Sequence, residues 1–316
     1  MRAIPSSPPD DRIPATTRWL SRLVVPVLVA AFVVLYVFPD RTMQLWSWMV
    51  CPEMSALVMG SGYLAGAYFF TRAACTREWH RVSVGFVATT VFSTILLAAT
   101  ILHWSQFNHD HVSFWAWLAL YVATPFLLPI LWVENQRTDP RRVGPSDITV
   151  PWALRVAVGI GGAVQLAFAF VLFVWPATVA EMWPWGIDPM TGRALSAFVA
   201  FPAVTWFMFL FEGRWSSFRI TQHTATIGLA LITLGALRAG GGFLSDSGYA
   251  LYLAALVVAL VLNLSLYAAM ESRTSKTKER GNHAESPPSP VIGARVGGEC
   301  RLDRPRRRVG AGVGQT

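Results

Sequence analysis

Eight long apolar runs, separated by short polar segments, dominate the pattern of hydrophobic and polar positions along this chain. A helix needs about 20 mostly apolar residues to cross the hydrocarbon layer of a bilayer. The pattern therefore predicts an all-α, polytopic integral membrane protein with eight transmembrane helices. The predicted spans are 20–38, 54–70, 82–103, 112–133, 154–175, 194–211, 220–237 and 249–270.

The distribution of basic residues predicts the orientation of these spans. If the N-terminus is cytoplasmic, 23 of the 26 Lys and Arg residues fall on the cytoplasmic side, leaving Arg41, Arg193 and Arg238 outside. Cytoplasmic loops favour basic residues, so both termini should be cytoplasmic.

With 24 Arg and two Lys, the chain has the codon bias of a GC-rich genome. We therefore expect a bacterial protein of the cell (inner) membrane.

Composition agrees with this class. The chain is 53% hydrophobic and 14% charged, whereas soluble domains are about 25% charged. The expected partner is therefore the lipid bilayer and not nucleic acid. No charged residue lies inside a predicted span away from its ends, which argues against a proton-driven pump or a channel with a charged filter. Within the spans, Gln165 and Asn263 are expected to form interhelical hydrogen bonds, and Gly62, Gly66, Gly159 and Ala163 to allow close helix contacts.

The chain also contains an internal repeat. Shifting it by 137 positions aligns residues 34–56 with 171–193, with seven of 23 positions identical and no gap. Each copy holds four spans, an even number, so the two copies should share one orientation. The sequence predicts two parallel four-helix repeats, at 19–137 and 154–273. A linker at 138–153 joins them, and tails at 1–18 and 274–316 are expected to be disordered.

A Trp/Pro motif recurs in the repeat. Trp46, Trp48 and Pro52 of the first copy align with Trp183, Trp185 and Pro189 of the second, in two loops predicted to face outward. Amphipathic indole rings favour the headgroup level, and a Pro at a helix start loses no hydrogen bond. Anchoring in the interface is one interpretation. The other is that the loops line a path or groove for an apolar ligand between the two repeats.

The second loop carries a resemblance. Trp183, Pro184, Trp185 and Pro189, followed by Thr191-Gly192-Arg193, resemble the outward Trp-Pro-Trp loop of an uncharacterised family of bacterial multi-pass membrane proteins. The first copy has Ser47 where this motif has its middle Pro. The resemblance implies a multi-pass architecture and carries no activity.

A candidate metal site lies in the polar stretch HWSQFNHDH at 103–111. It supplies His103, His109 and His111, whose imidazoles are ligands for zinc or copper. The spacing is not diagnostic, and an exposed polar loop is the favoured interpretation, with a pH-sensitive loop as a further alternative. No hydrolase, P-loop or metalloprotease motif is present, so the sequence identifies no cofactor and favours a protein that is not an enzyme.

Three functions remain open at this stage. The first is binding, or facilitated movement, of an apolar or lipid-like ligand between the two repeats. The second is an outward-facing, metal-dependent membrane enzyme, and the third is a non-catalytic membrane scaffold.

Overall fold

The computed structural model describes residues 11–285, apart from 142, 145, 146 and 240–246. Within that range the chain is helical, without strands, and it contains two isolated β-bridges, Arg12–Glu78 and Thr149–Arg214. The α-helices are α1 (Ala15–Phe32, continued by a π-helical turn to Val37), α2 (Thr42–Leu45), α3 (Glu53–Cys75), α4 (His80–Leu102), α5 (Val112–Gln136), α6 (Trp152–Val174), α7 (Pro176–Ala180), α8 (Pro189–Phe207), α9 (Ser216–Ala239) and α10 (Ser247–Glu285).

Seven helices of the described chain are long and apolar enough to cross a membrane, namely α1, α4, α5, α6, α8, α9 and α10. The protein is therefore a multi-pass helical membrane protein by length and composition. The predicted span 54–70 lies in α3, which is 23 residues long but is not among the seven. Fourteen residues of α3 are buried, many of them small or polar. A helix covered by its neighbours needs fewer apolar residues than one that faces lipid.

The eight long helices form an inner group and an outer group. The inner helices α3, α4, α8 and α9 pack against one another, while α1 packs on α3, α5 on α4, α6 on α8 and α10 on α9. Half of the apolar stretch of α4 and of α8 is buried, against 22% in α5 and α6 and 17% in α10. The outer helices thus present apolar faces to the surroundings, as a bilayer requires.

Close helix contacts depend on small residues, as the sequence suggests for Gly62 and Gly159. A Cβ atom at Gly62 would lie 2.4 Å from the Phe198 ring, and one at Gly159 would lie 2.4 Å from Leu210. Substitution at either position would therefore separate two packed helices.

The N-terminal tail is shorter than predicted. The backbone N–H of Ile13 donates to the carbonyl of Arg77 (2.9 Å), and α1 begins at Ala15. Part of the predicted disordered tail 1–18 is therefore ordered, because its backbone bonds to the loop before α4. Residues 1–10 lie outside the described residues.

The C-terminal boundary also differs from the prediction. Helix α10 continues to Glu285, into the predicted disordered tail 274–316. Residues 274–285 contain no proline, the residue that most often ends a helix. The side chain of Thr274 donates to the carbonyl of Met270 one turn earlier, as in a continuous helix. Residues 286–316 lie outside the described residues.

Candidate functional site

The first Trp/Pro loop, residues 46–52, places its indole rings in the core. Trp46 and Trp48 are each 6% exposed, and both pack edge-on against Trp117. Trp46 also contacts Tyr63, and Trp48 contacts Phe107. Neither indole N–H has a hydrogen-bond partner among the described residues. These rings therefore pack inside the protein, whereas the sequence suggested a position at the headgroup level.

The second Trp/Pro loop, residues 183–189, has different contacts. Trp185 is 4% exposed, packs against Tyr252, and donates from Nε1 to the hydroxyl of Ser55 in α3 (2.9 Å). Trp183 is partly exposed and lies parallel to Phe168, with ring centroids 6.5 Å apart. This loop thus bonds to a helix that belongs to the other half of the chain.

Each motif proline stands at the start of a helix, as predicted. Pro52 immediately precedes α3, and Pro189 is the first residue of α8. The carboxylate of Asp188 accepts from the backbone N–H groups of Met190 and Thr191 at the same helix end. The prolines and this cap fix where the helices begin.

His103, in the first half of the chain, is hydrogen-bonded to Arg193 of the second half. Arg193 donates from Nη1 to its Nε2 (2.7 Å) and from Nε to the carbonyl of Phe173 (3.0 Å). Burial lowers the pKa of His103, and the positive charge of Arg193 lowers it further. His103 is therefore a neutral acceptor for an arginine, and its Nε2 lone pair is already used.

His109 and His111 have separate local roles. The His109 ring packs against Trp104 and Phe114, with centroids 5.1 and 4.7 Å away. His111 accepts at Nδ1 from the backbone N–H of Ser113 and so caps α5. No group of three or more His, Cys, Asp and Glu is placed to hold a metal in the part of the chain described here. The arrangement therefore does not support the predicted metal set of His103, His109 and His111.

A cavity of about 260 Å³ lies among the inner helices, where the two halves of the chain meet. All eight long helices contribute to its wall, for example through Leu28 of α1, Phe92 of α4, Phe198 of α8 and Ala259 of α10. Ligand sites are commonly found between the helices of bundles. This central cavity is the strongest candidate site in the described structure.

The wall of the central cavity is apolar even where it contains polar residues. Its Ser and Thr hydroxyls each donate to a carbonyl three or four residues earlier in the same helix, as Thr89, Thr124 and Thr224 show. Gln165 donates across helices to the carbonyl of Val199 (3.1 Å), as predicted from the sequence. The Ser and Thr hydroxyl protons are therefore used within their own helices, and most of the wall is aliphatic or aromatic.

A polar network joins the two halves at the opposite end of the bundle from the Trp/Pro loops. Asp11 accepts from the backbone N–H and from Nδ1 of His80, and Asp147 accepts from the backbone N–H and the hydroxyl of Ser216. Nε2 of His80 lies 3.0 Å from Oγ of Ser216. Asp147 accepts the Ser216 proton, and the His80 ring bonds to groups of both halves of the chain.

A buried ion cluster lies beside this network. Arg214 donates to both carboxylate oxygens of Asp139 (2.9 and 2.6 Å) and to Glu212. Burial alone would raise the pKa of Asp139, but hydrogen bonds from Arg214 and from the backbone N–H of Arg141 outweigh it and lower the pKa. Burial opposes the charge of Arg214, yet the two carboxylates raise its pKa. Asp139 and Arg214 are therefore both ionised at neutral pH.

Sequence reasoning missed both polar groups of this end, because their members are far apart in the chain. One signal was present: Trp79-His80 and Trp215-Ser216 stand at corresponding places in the two halves. Both indoles are fully buried, and they donate to Gln136 at the end of α5 and to Glu271 within α10.

No protein-family model matches this chain, and neither a curated protein nor a solved structure shows significant similarity to it.

Proposed function

We propose that this chain is an eight-span bacterial inner-membrane protein, with both termini cytoplasmic, that binds an apolar or lipid-like ligand between two parallel four-helix repeats. The eighth span is α3. Binding or facilitated movement of the ligand is the function, and no catalytic role is included.

The packing of helices supports the repeat. Exchanging α1, α3, α4 and α5 for α6, α8, α9 and α10 turns each major contact into another that is present: α1–α3 into α6–α8, α4–α8 into α9–α3, and α4–α5 into α9–α10. The contacts α4–α9 and α3–α8 map onto themselves. This is the relation expected for two copies about an axis along the membrane normal.

Hydrogen bonds at the inner ends repeat in the same way. Before α1, Ile13 donates to Arg77, and before α6, Val150 donates to Gly213 (2.9 Å each). Asp11 binds the first residue of α4, and Asp147 binds the first residue of α9. Both copies are therefore stabilised by one local arrangement, which supports the alignment made from the sequence.

The central cavity is the observation on which the ligand proposal rests. An apolar cavity of about 260 Å³ left empty would cost on the order of 6 kcal/mol at about 24 cal/mol per Å³. An apolar ligand recovers much of that cost through dispersion contacts with the wall. Since the outer helices face lipid, molecules of this kind are the abundant neighbours of the protein.

Filling the cavity tests the proposal. A Cβ atom at Gly228, which lines the cavity, would lie 3.6 Å from Cβ of Ala65, an ordinary van der Waals contact, so Gly228→Leu adds bulk at the cavity wall. Gly161 is exposed on α6 with nothing within 4 Å, so Gly161→Leu is the matched control. Protein purified in mild detergent is denatured and extracted, and the released apolar molecules are quantified by mass spectrometry.

We expect the wild type and Gly161→Leu to carry a stoichiometric apolar molecule, and Gly228→Leu to carry roughly tenfold less or none, the effect of about 1.4 kcal/mol or more. Equal retention by Gly228→Leu would place the ligand elsewhere. A wild-type protein without any bound molecule would contradict the proposal and leave the scaffold interpretation.

A further inference from the structure

A second cavity, the outer cavity, has a volume of about 150 Å³ and lies between α1 and α5 on the Trp/Pro-loop side of the central cavity. It is lined by residues of both helices, together with Leu45 of α2 and Trp46 of the first Trp/Pro loop. Asn135 and Thr17 join the two helices at their inner ends (3.3 Å). Among the described helices, α1 packs chiefly on α3 and α5 on α4, which leaves a cleft between them.

The outer cavity opens on the face that a bilayer would cover. Four residues of its wall, Val27, Ala30, Leu45 and Ala116, are themselves exposed at the protein surface. All four are apolar. A molecule dissolved in the hydrocarbon layer therefore reaches this cavity without crossing water.

Tyr63 and Tyr121 lie where the two cavities adjoin. Both residues line both cavities, and their hydroxyl oxygens are 3.0 Å apart. Two hydroxyls carry two protons, and their mutual hydrogen bond uses one. The second proton has no acceptor in the described part of the chain, although the residues are only 3% and 2% exposed. A buried donor without a partner is destabilising.

The unpaired O–H of the tyrosine pair and the unpaired N–H of Trp46 are donors without charge. Trp46, 94% buried and part of the outer cavity wall, has an indole N–H without a partner among the described residues. Neither cavity wall contains Asp, Glu, Lys, Arg or His. A charged headgroup would be desolvated there without a counter-charge, which is strongly unfavourable.

We propose that the ligand is an uncharged lipid with a hydrogen-bond acceptor, such as an ester carbonyl, that enters from the bilayer between α1 and α5 and bonds through that acceptor to the Tyr63–Tyr121 pair. This inference rests on the proposed function, since it specifies the ligand and the entry route of the central cavity.

A pair of photoactivatable probes tests the ligand chemistry. The methyl ester of a diazirine-bearing dodecanoic acid has a carbonyl acceptor, and a diazirine-bearing dodecane has none. Each is added to the protein in nanodiscs at the same mole fraction of lipid, and the cross-linked peptides are quantified by mass spectrometry. The double variant Tyr63→Phe/Tyr121→Phe removes both hydroxyls together, so it leaves no orphaned partner and should fold. Tyr252→Phe, outside both cavities, is the control.

We expect the ester to label cavity peptides of the wild type and of Tyr252→Phe roughly three- to tenfold more than the hydrocarbon, the effect of one hydrogen bond. The double variant should label equally with both. Equal labelling in the wild type would overturn this inference while leaving the proposed function intact. Absence of cavity labelling by either probe would contradict the proposed function itself.

The entry route is tested by the rate of ester labelling. Ala116→Trp places a large ring at the mouth of the outer cavity, and Ala119→Trp places one on the exposed face of the same helix, outside the cavity wall. We expect several-fold slower labelling in Ala116→Trp only, with an unchanged final yield. Equal rates in the two variants would overturn the route.

Discussion

The two Trp/Pro loops share a sequence motif but not a set of contacts. The rings of Trp46 and Trp48 pack against aromatic residues of their own half. Their indole N–H groups have no acceptor among the described residues. Trp185, at the position of Trp48 in the second half, donates to Ser55 in the first half. One loop thus borders a cavity, and the other bonds the halves together. A repeated motif fixes where a helix begins and where aromatic rings pack, while the surrounding residues determine the role of each copy.

The inner ends of the two halves differ in the same manner. The first half uses Asp11 with the imidazole of His80, and the second uses Asp147 with the hydroxyl of Ser216. The Arg214 cluster beside the second pair is buried, whereas the Arg81–Glu78 ion pair of the first half is exposed. The following predictions compare matched positions in the two halves, from the largest expected effect to the smallest.

Loss of Arg214 should have the largest effect. Its side chain and that of Asp139 are 5% and 0% exposed, so Arg214→Leu leaves a buried carboxylate without its partner and should cost about 3–5 kcal/mol. Arg81, the second residue of α4 in the first half, pairs with Glu78 at 41% and 46% exposure. Arg81→Leu should cost about 1 kcal/mol or less. Unfolding midpoints in detergent measure both, and equal losses would contradict the asymmetry.

The two capping aspartates should come next. Asp11→Asn and Asp147→Asn each weaken a hydrogen bond to a carboxylate, from His80 and from Ser216, worth about 1.5–3 kcal/mol. The partial exposure of Asp11 places its value toward the lower limit. Unfolding midpoints in detergent measure both, and an unchanged midpoint in either variant would contradict the role of that aspartate.

The loop comparison predicts a smaller difference. Trp185→Phe removes the hydrogen bond to Ser55 and leaves that hydroxyl unpaired, which should cost about 1–2 kcal/mol. Trp46→Phe removes an indole N–H that has no partner among the described residues, so it should cost less. Thermal unfolding of the two purified variants measures the difference, and a costlier Trp46→Phe would contradict the assigned roles.

The smallest effect concerns pH. The pKa of His103 is lowered in the folded state by burial and by Arg193. As the pH falls through about 6.5, the ordinary pKa of histidine, the unfolded chain therefore takes up a proton at His103 before the folded chain does. The stability that this site contributes is present above that pH and is lost as the pH falls toward the folded pKa. His103→Gln keeps an acceptor for Arg193 and should flatten the acid side of a stability–pH curve, whereas an unchanged curve would assign the loss to other groups.

Much of the architecture follows from the sequence, because spans and loops are local features. Apolar runs predicted the positions of seven apolar helices, and the Trp/Pro motif predicted two helix starts. Gln165 was predicted to bond between helices, and it does. The burial of Trp46 and Trp48 was not predicted, since it depends on which residues of α5 meet the loop.

The candidate site required the structure. Its wall collects ordinary apolar residues from all eight long helices, and no local pattern marks them. For the metal hypothesis, closeness in the sequence did not mean a shared site in the structure. His103, His109 and His111 are close in sequence, but Arg193, aromatic rings and a helix start occupy them separately.

The most direct test of the central claim is a density map of the protein in nanodiscs, with a bound antibody fragment to add mass. We predict elongated density that is not protein in the central cavity, beside the packed rings of Phe92 and Phe198 and in contact with the Tyr63–Tyr121 pair. A cavity closed by inward movement of these rings, with no space between the halves, would contradict the account.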